Sequence, residues 1–98
     1  MIEIIKSDVF DRWLNSLRDR LARAKVQARI RRLSMGNPGD VKPVGEGISE
    51  MRIDYGPGYL VYYMQRGPVV VVLLSGGDKN TQARDIAHAK AIAKQWKE

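Results

Sequence analysis

The chain contains no cysteine and one histidine, and these shortages exclude several classes of function. Without cysteine there can be neither a disulfide framework nor a thiolate metal site. His88 lies in a helical stretch with no HxxxH spacing or carboxylate pattern around it. Because metal catalysis needs a cluster of such ligands, the sequence predicts no metal centre and no cofactor. We interpret His88 as an exposed helix residue and not as a general base.

Long apolar runs are missing as well. The run at residues 69–74 contains six residues, whereas a membrane-spanning helix needs about 20. The first residues include acids and a lysine where a signal peptide would be basic and then apolar. These features predict a cytoplasmic protein that does not enter a membrane.

The common catalytic motifs are absent too. The sequence has no Gly-x-Ser-x-Gly elbow, no Walker loop and no dinucleotide fingerprint. The run Gly76-Gly77-Asp78-Lys79 resembles a turn that cradles phosphate, although such a pattern is weak evidence when it stands alone.

What the chain does have is positive charge. Its 98 residues, enough for one domain over residues 1–98, include 17 Lys and Arg against 11 Asp and Glu, a net charge of +6. This balance indicates a polyanionic partner, either nucleic acid or an acidic protein segment. Eight of the 17 basic residues lie between positions 11 and 32: Arg12, Arg18, Arg20, Arg23, Lys25, Arg29, Arg31 and Arg32. Arg29 and Arg32 are candidate RNA contacts, and the alternative is an ordinary solvated helix face.

The N-terminal part predicts a short strand followed by two helices. Residues 2–6 suit a strand, and Ser7 or Asp8 can cap the helix that follows. Apolar positions then recur at three- and four-residue steps with a break near Asp19, which predicts an antiparallel helical hairpin. The stripe consists of Phe10, Trp13, Leu14, Leu17, Leu21, Val26, Ile30 and Leu33. The run Gly-Asn-Pro-Gly at residues 36–39 ends the second helix.

Residues 50–80 contain three β-type runs separated by turns at residues 55–58 and 67–68, which is typical of an antiparallel meander. Strict alternation places successive side chains of a strand on opposite faces. One face of the first run therefore holds Ile48, Glu50, Arg52 and Asp54, and the other holds Ser49, Met51, Ile53 and Tyr55. The run at residues 69–74 does not alternate, so we expect a central strand covered on both faces.

The remaining segments complete the expected architecture. A brief edge strand is predicted at residues 41–44, and Asp78 or Asn80 can cap a final helix from about Thr81. The stripe of that helix is Ile86, Ala89, Ala93 and Trp96. The predicted fold class is α+β: an N-terminal strand and a helical hairpin packed on an antiparallel sheet of about four strands, with a C-terminal helix.

With metal chemistry excluded, the residues suit RNA cleavage by the 2′-hydroxyl itself. A protein assists this reaction by orienting the attack, neutralising charge on the phosphorane oxygens and moving protons. Arginine clasps phosphate oxygens in pairs, and lysine near other cations can have a lowered pKa. Arg52, Arg66 and Lys79 have the right chemistry, and the alternative is ordinary charge at strand edges.

The order of the elements and several short phrases resemble one known family. The phrases are Gly-Asn-Pro-Gly-Asp at 36–40, Gly-Glu-Gly-Ile-Ser-Glu-Met-Arg-Ile at 45–53, Gly-Pro-Gly-Tyr at 56–59 and Gly-Gly-Asp-Lys-Asn-Thr-Gln at 76–82, with Phe10, Trp13 and Leu14 in the first helix. They are similar to the RelE/HigB superfamily of bacterial toxins, and more narrowly to the addiction module killer proteins. The resemblance extends over nearly the whole chain.

This resemblance implies a RelE-like fold and the toxin of a type II toxin–antitoxin module that cleaves mRNA, in most relatives at the ribosome. It also implies a helix-turn-helix antitoxin that binds the toxin and represses the operon. By position, Arg52 and Lys79 match family contacts to the scissile phosphate. Gln82, which follows at the start of the last helix, and Arg66 are further candidate RNA contacts.

Leu60 departs from the family pattern. Relatives usually have an arginine after Gly-Tyr in this phrase, and that arginine contacts the transition state. Loss of one such donor commonly lowers the rate about 100- to 1,000-fold. Either another cation such as Arg66 takes this role, or the chain is a weakened or silent toxin whose main activity is binding its antitoxin. The resemblance leaves the general base unassigned.

Overall fold

The structure, a computed structural model, describes residues 1–97 and contains over that range a five-stranded sheet with helices on both faces. The strands are β1 (Glu3–Lys6), β2 (Val41–Gly45), β3 (Ile48–Ile53), β4 (Tyr59–Arg66) and β5 (Val70–Asp78). The helices are α1 (Asp8–Ser16), α2 (Arg20–Ser34) and α3 (Gln82–Gln95), with a short 3-10 turn at Lys79–Thr81 before α3. The predicted α+β class is confirmed.

The strand order is β1-β5-β4-β3-β2, and it corrects the predicted sheet. The predicted antiparallel strands and the predicted edge strand are present as β2 to β5. The expected count of about four is too low within residues 1–97, because β1 joins the sheet as a fifth strand and pairs with β5 in parallel. The parallel pair forms because the chain leaves β1 through the helices and the meander and returns beside it. Such a long-range pairing has no signature in local alternation.

The helical hairpin begins and breaks where the sequence predicts. The Ser7 hydroxyl accepts a hydrogen bond from the Phe10 N–H at 3.0 Å and caps α1. The Asp19 carboxylate accepts from the N–H groups of Leu21 and Ala22 and caps α2. One residue of the predicted stripe is wrong: Leu21 is 53% exposed, and Ala22 is buried in its place. The cap shifts the helical phase by one residue at this point.

The sheet separates two apolar cores. α1 and α2 cover one face through residues such as Phe10 and Val26, which pack with Met51 and Ile53 of β3. α3 covers the other face, where its predicted stripe meets Ile48 and neighbouring strands. The predicted facing of β3 is confirmed, and so is the burial of residues 71–74. At the start of that run the prediction is wrong, because Val69 precedes β5 and is 56% exposed. No helix within residues 1–97 combines the length and apolarity that a membrane crossing requires.

Gly76 and Gly77 lie inside β5 and let helices approach both faces of the sheet. A Cβ atom on Gly76 would collide with the indole of Trp13 in α1. A Cβ atom on Gly77 would collide with the carboxylate of Asp85 in α3. The pair of glycines therefore serves close packing of backbone against side chains. This packing accounts for the Gly-Gly pair without a bound phosphate.

Candidate functional site

A cavity of about 200 Å³ lies at the end of the sheet where β5 leads into the 3-10 turn. We call it the Arg52 cavity. Its lining residues are Asp40, Arg52, Ile53, Asp54, Tyr59, Leu60 and Lys79. The strand register builds it, since Arg52 lies opposite Leu60 and Leu60 lies opposite Gly77. Two of the predicted phosphate contacts, Arg52 and Lys79, therefore share one cavity.

Arg52 keeps much of its guanidinium in contact with solvent. Its Nε lies 3.4 Å from Oδ2 of Asp40, and the two side chains are 48% and 59% exposed. An exposed pair of this kind contributes little to stability, so the guanidinium can exchange Asp40 for another anion. The backbone of Arg52 is held from behind, because Arg29 Nη1 donates a hydrogen bond to its carbonyl oxygen at 2.6 Å.

Lys79 is positioned by the Gly-Pro-Gly turn before β4. Its N–H donates to the carbonyl oxygen of Gly58 at 3.2 Å. Gly58 has a positive φ of 85°, and a Cβ atom there would lie 2.8 Å from Cε of Lys79. The lysine stem thus crosses the space above a residue that has no side chain. Gly58 serves both the turn and the placement of Lys79.

Leu60 forms an apolar wall of the Arg52 cavity and is 1% exposed. Its side chain belongs to the core beneath α3, together with Ile48 and Tyr62. The position is directly opposite Arg52, so a long cationic side chain here would reach the same cavity. The wall is instead neutral, which leaves the cavity with two cations.

Arg66 lies far from this cavity. It pairs with Val70 at the opposite end of β4, six positions beyond Leu60, which is about 20 Å at the rise of a strand. The structure therefore does not bring Arg66 together with Arg52 and Lys79. It lines a different cavity beside the C-terminal half of α3.

Arg29 and Arg32 lie on the helical side of the sheet, in a separate depression of about 220 Å³. Arg29 donates to the carbonyl oxygens of Pro38 and Asp40 as well as Arg52. Its burial lowers its pKa, and the neighbouring charge of Arg32 lowers it further. Arg29 thus connects α2 to the backbone beneath the Arg52 cavity, while Arg32 is exposed.

A buried carboxylate lies behind the cavity, and sequence reasoning gave it no role. Glu50 is 0% exposed, and its Oε2 accepts from the Tyr62 hydroxyl at 3.1 Å and from Gln82 Nε2 at 2.8 Å. Burial raises the pKa of Tyr62, and the charge of Glu50 raises it further, so the phenol stays protonated as a donor. Gln82 was predicted as an RNA contact, and the structure directs its amide toward Glu50. The sequence did contain a signal for this buried contact: Glu50 is an acid and lies opposite the aromatic Tyr62, whose own strand face is apolar.

Removing the Tyr62 hydroxyl is expected to destabilise the protein measurably. Tyr62→Phe leaves the buried Glu50 charge with one fewer donor, which costs about 1–3 kcal/mol of unfolding free energy. Urea denaturation measures this loss. Tyr59→Phe removes a hydroxyl from the partly exposed start of the same strand and should stay within about 0.5 kcal/mol of the wild type. Equal midpoints for the two variants would contradict a stabilising role for the Tyr62 hydroxyl bond.

Asp40 and Asp54 are the other residues of the cavity that the sequence did not single out. Together with Arg52 and Lys79 they place two carboxylates and two cations around one small space. Tyr59 adds an aromatic ring, which packs edge-on against Trp13 with 6.4 Å between ring centroids. Cations, proton acceptors and an aromatic surface in one cavity suit a nucleotide-sized anionic ligand.

The chain is similar in sequence to a known protein over nearly the full length of both. A protein of Haemophilus influenzae, described as uncharacterized, is 50% identical over 94 residues, which cover 96% of this chain and 95% of that protein. No family model matches the chain. The two proteins align almost from end to end, so they share the whole domain.

Proposed function

The chain belongs to the same family as this uncharacterized protein of Haemophilus influenzae, and we propose that it is a RelE-like, metal-independent endoribonuclease. In this proposal it acts in the cytoplasm on mRNA at the ribosome, as the toxin of a type II toxin–antitoxin module. The observation that supports the proposal most is the meeting of Arg52 and Lys79 in one cavity with Tyr59 and two carboxylates.

The cavity contains a group for each requirement of 2′-hydroxyl attack. Arg52 offers a planar set of donors to the nonbridging phosphate oxygens, and its partial exposure leaves it accessible. Lys79 adds a second positive charge at the same phosphate. Charge that develops on these oxygens is stabilised most where donors are already in place, as they are here on β3 and the 3-10 turn.

Asp40 and Asp54 supply proton acceptors, and Tyr59 supplies a ring on which a base can stack. In the proposed reaction a carboxylate takes the 2′-hydroxyl proton while the 2′ oxygen bonds to phosphorus. The bond from phosphorus to the 5′ oxygen breaks, and that oxygen takes up a proton from a water molecule. The carboxylic acid then returns its proton to the hydroxide formed, which restores the carboxylate. The products are a 2′,3′-cyclic phosphate and a 5′-hydroxyl, and no oxidant or co-reactant is required.

Purified protein tests this function directly. Incubated with ribosome-bound message and excess EDTA, it should cut the message and leave 5′-hydroxyl ends at the cut sites. In a cell, expression should slow growth, and co-expression with the neighbouring helix-turn-helix antitoxin should restore it. Intact message under these conditions would remove the ribonuclease proposal.

A second function is favoured by the buried, neutral Leu60 wall. In this alternative the chain is a catalytically weak or silent binding module that forms a complex with the antitoxin and adjusts operon repression. Within residues 1–97 the cations that line the cavity are Arg52 and Lys79. An electrostatic site that lacks one donor is slower by about 100-fold or more. Co-purification with the antitoxin, combined with an intact message, would support this alternative.

Leu60→Arg distinguishes the two functions. Because position 60 faces Arg52 across paired strands, the new guanidinium can reach the cavity and should raise message cleavage by up to about 100-fold. Leu60→Gln introduces a shorter polar side chain without charge, and this control should not raise cleavage. Thermal unfolding shows whether each variant is folded. A folded Leu60→Arg protein with unchanged cleavage would favour the binding module.

A further inference from the structure

The turn between β2 and β3 holds an unusual residue. Gly45, Glu46 and Gly47 have φ values of 99°, 56° and 76°, so all three adopt the left-handed region. Tight hairpin turns of this kind favour Gly, Asn or Asp at such positions. A glutamate there costs about 1–2 kcal/mol in backbone strain. Turn geometry alone therefore does not account for Glu46.

The Glu46 carboxylate lies between two lysines of α3. Its oxygens are 3.6 Å from Nζ of Lys90 and 3.8 Å from Nζ of Lys94. These residues are one helical turn apart, so both ammonium groups face the hairpin. Lys94 is 73% exposed, Glu46 49% and Lys90 30%, and pairs that remain in contact with solvent add little stability. The contacts are thus weak enough to be replaced by another anion.

The lysines border a cavity of about 250 Å³ in which cations outnumber the carboxylate. Arg66 and Met64 of β4 line the same space, with Glu46 at its edge. Among the described residues, Lys90 and Lys94 share the one carboxylate of Glu46, which leaves an excess of positive charge. A phosphate group offers more oxygens and more charge than a single carboxylate, so it suits this position better.

This second cluster lies on the same side of the sheet as the Arg52 cavity. Ile48 and Arg52 point to one face of β3, four positions and about 13 Å apart. Lys42 on β2 pairs with Glu50 and so lies between them on that face. α3 covers the centre of this face, where Ile48 and Glu50 are buried, so the cations lie along its border, with Lys42 exposed on the edge strand β2. A span of 13 Å corresponds to about four nucleotides of a stacked single strand.

We propose that Lys90 and Lys94 bind backbone phosphates of the same single-stranded RNA whose scissile phosphate lies at Arg52 and Lys79, with Lys42 between them. Glu46 occupies the phosphate position in the free protein and bridges the two lysines until RNA displaces it. This path deepens the proposed ribonuclease function and rests on it. It also differs from the helical face that the sequence suggested, where Arg29 donates to backbone carbonyls.

The binding experiment uses a 12-nucleotide RNA in which every 2′-hydroxyl is methylated, so that it cannot be cut. Fluorescence anisotropy gives its Kd over a range of salt concentrations. Removing both lysines in Lys90→Gln/Lys94→Gln should weaken binding about tenfold near 0.15 M salt and lower the salt slope by about 1.4. The control is Lys6→Gln/Lys25→Gln, which removes equal charge from the other face of the sheet and should change Kd less than twofold.

Glu46→Gly tests the displaced anion, because glycine keeps the left-handed backbone and removes the carboxylate. This variant should bind the RNA several-fold more tightly and remain folded. The proposed RNA path would be overturned if both double lysine variants weakened binding equally, or if Glu46→Gly bound the RNA more weakly than the wild type.

Cleavage is measured separately. If cleavage depends on Arg52 but Lys90→Gln/Lys94→Gln leaves the Kd unchanged, the path is contradicted and the ribonuclease function is not. If Lys90→Gln/Lys94→Gln weakens binding of the RNA but the wild-type protein does not cut the message, the path is supported and the ribonuclease function is contradicted.

Discussion

Replacing Arg52 by alanine is expected to lower message cleavage about 100- to 1,000-fold while leaving the protein folded. The side chain is half exposed and its ion pair with Asp40 lies in solvent, so its loss should change the unfolding free energy by less than about 1 kcal/mol. The effect on cleavage is large because the donor acts on charge that develops only in the transition state. Single-turnover cleavage of ribosome-bound message measures it.

Two further variants sharpen the Arg52 result. Arg52→Lys keeps the charge but loses the paired donors, so its rate should lie between those of wild type and alanine. Arg31→Ala removes an exposed arginine of α2 and should leave cleavage unchanged. In growing cells, Arg52→Ala should no longer inhibit growth. Full cleavage by a folded Arg52→Ala protein would exclude the Arg52 cavity as the site of reaction.

Gly77→Ala is expected to produce the largest loss of stability among single methyl additions. The new Cβ atom would overlap the Asp85 carboxylate, which is buried between α3 and β5. Overpacking at such a site costs about 3 kcal/mol. For a domain of this size that lowers Tm by roughly 12–24 °C. Differential scanning calorimetry measures the change.

The comparison for Gly77→Ala is Gly47→Ala, where nothing lies within 4 Å of the added atom. Its cost is backbone strain alone, about 1–2 kcal/mol. The double variant Gly77→Ala/Asp85→Ala removes the overlapping carboxylate. Its loss of unfolding free energy should be smaller than the sum of the losses in the two single variants by at least about 1 kcal/mol. Simple additivity would show that α3 does not approach β5 as closely as the structure describes.

The Haemophilus influenzae protein offers an independent test of the same site. Because it aligns over nearly the entire chain, it should tolerate exchange of the β3–β4 segment with this protein. The proposed activity belongs to the cavity and not to the whole surface. Cleavage by a chimera should therefore follow the source of the segment that contains Arg52 and position 60.

The local elements of this protein were predictable from the sequence. The cap at Ser7, the break at Asp19 and the stripe of α3 depend on residues within a few positions of each other. Caps and periodicity are read from such near neighbours, so their outcome changes little with tertiary context. The same holds for the alternation of β3, which assigned Arg52 to the face that borders the cavity.

The assembly of those elements was decided by tertiary structure. The parallel pairing of β1 with β5 joins segments that are more than 60 residues apart, and no local pattern encodes it. The burial of Glu50, the exposure of Leu21 and the distance of Arg66 from the cavity depend equally on packing and register. The need for glycine at positions 76 and 77 follows from the close approach of Trp13 and Asp85, which local sequence does not reveal.

For the candidate site, composition was enough to show which residue types were available and that no cysteine chemistry was possible. Strand register and packing bring Arg52 and Lys79 into one cavity, while Arg29 donates to backbone carbonyls and Gln82 faces a buried carboxylate. The physical reason is that residue chemistry is local, whereas a site requires side chains from distant strands to converge. That convergence follows from strand order and register, which are set by the energy of the whole fold.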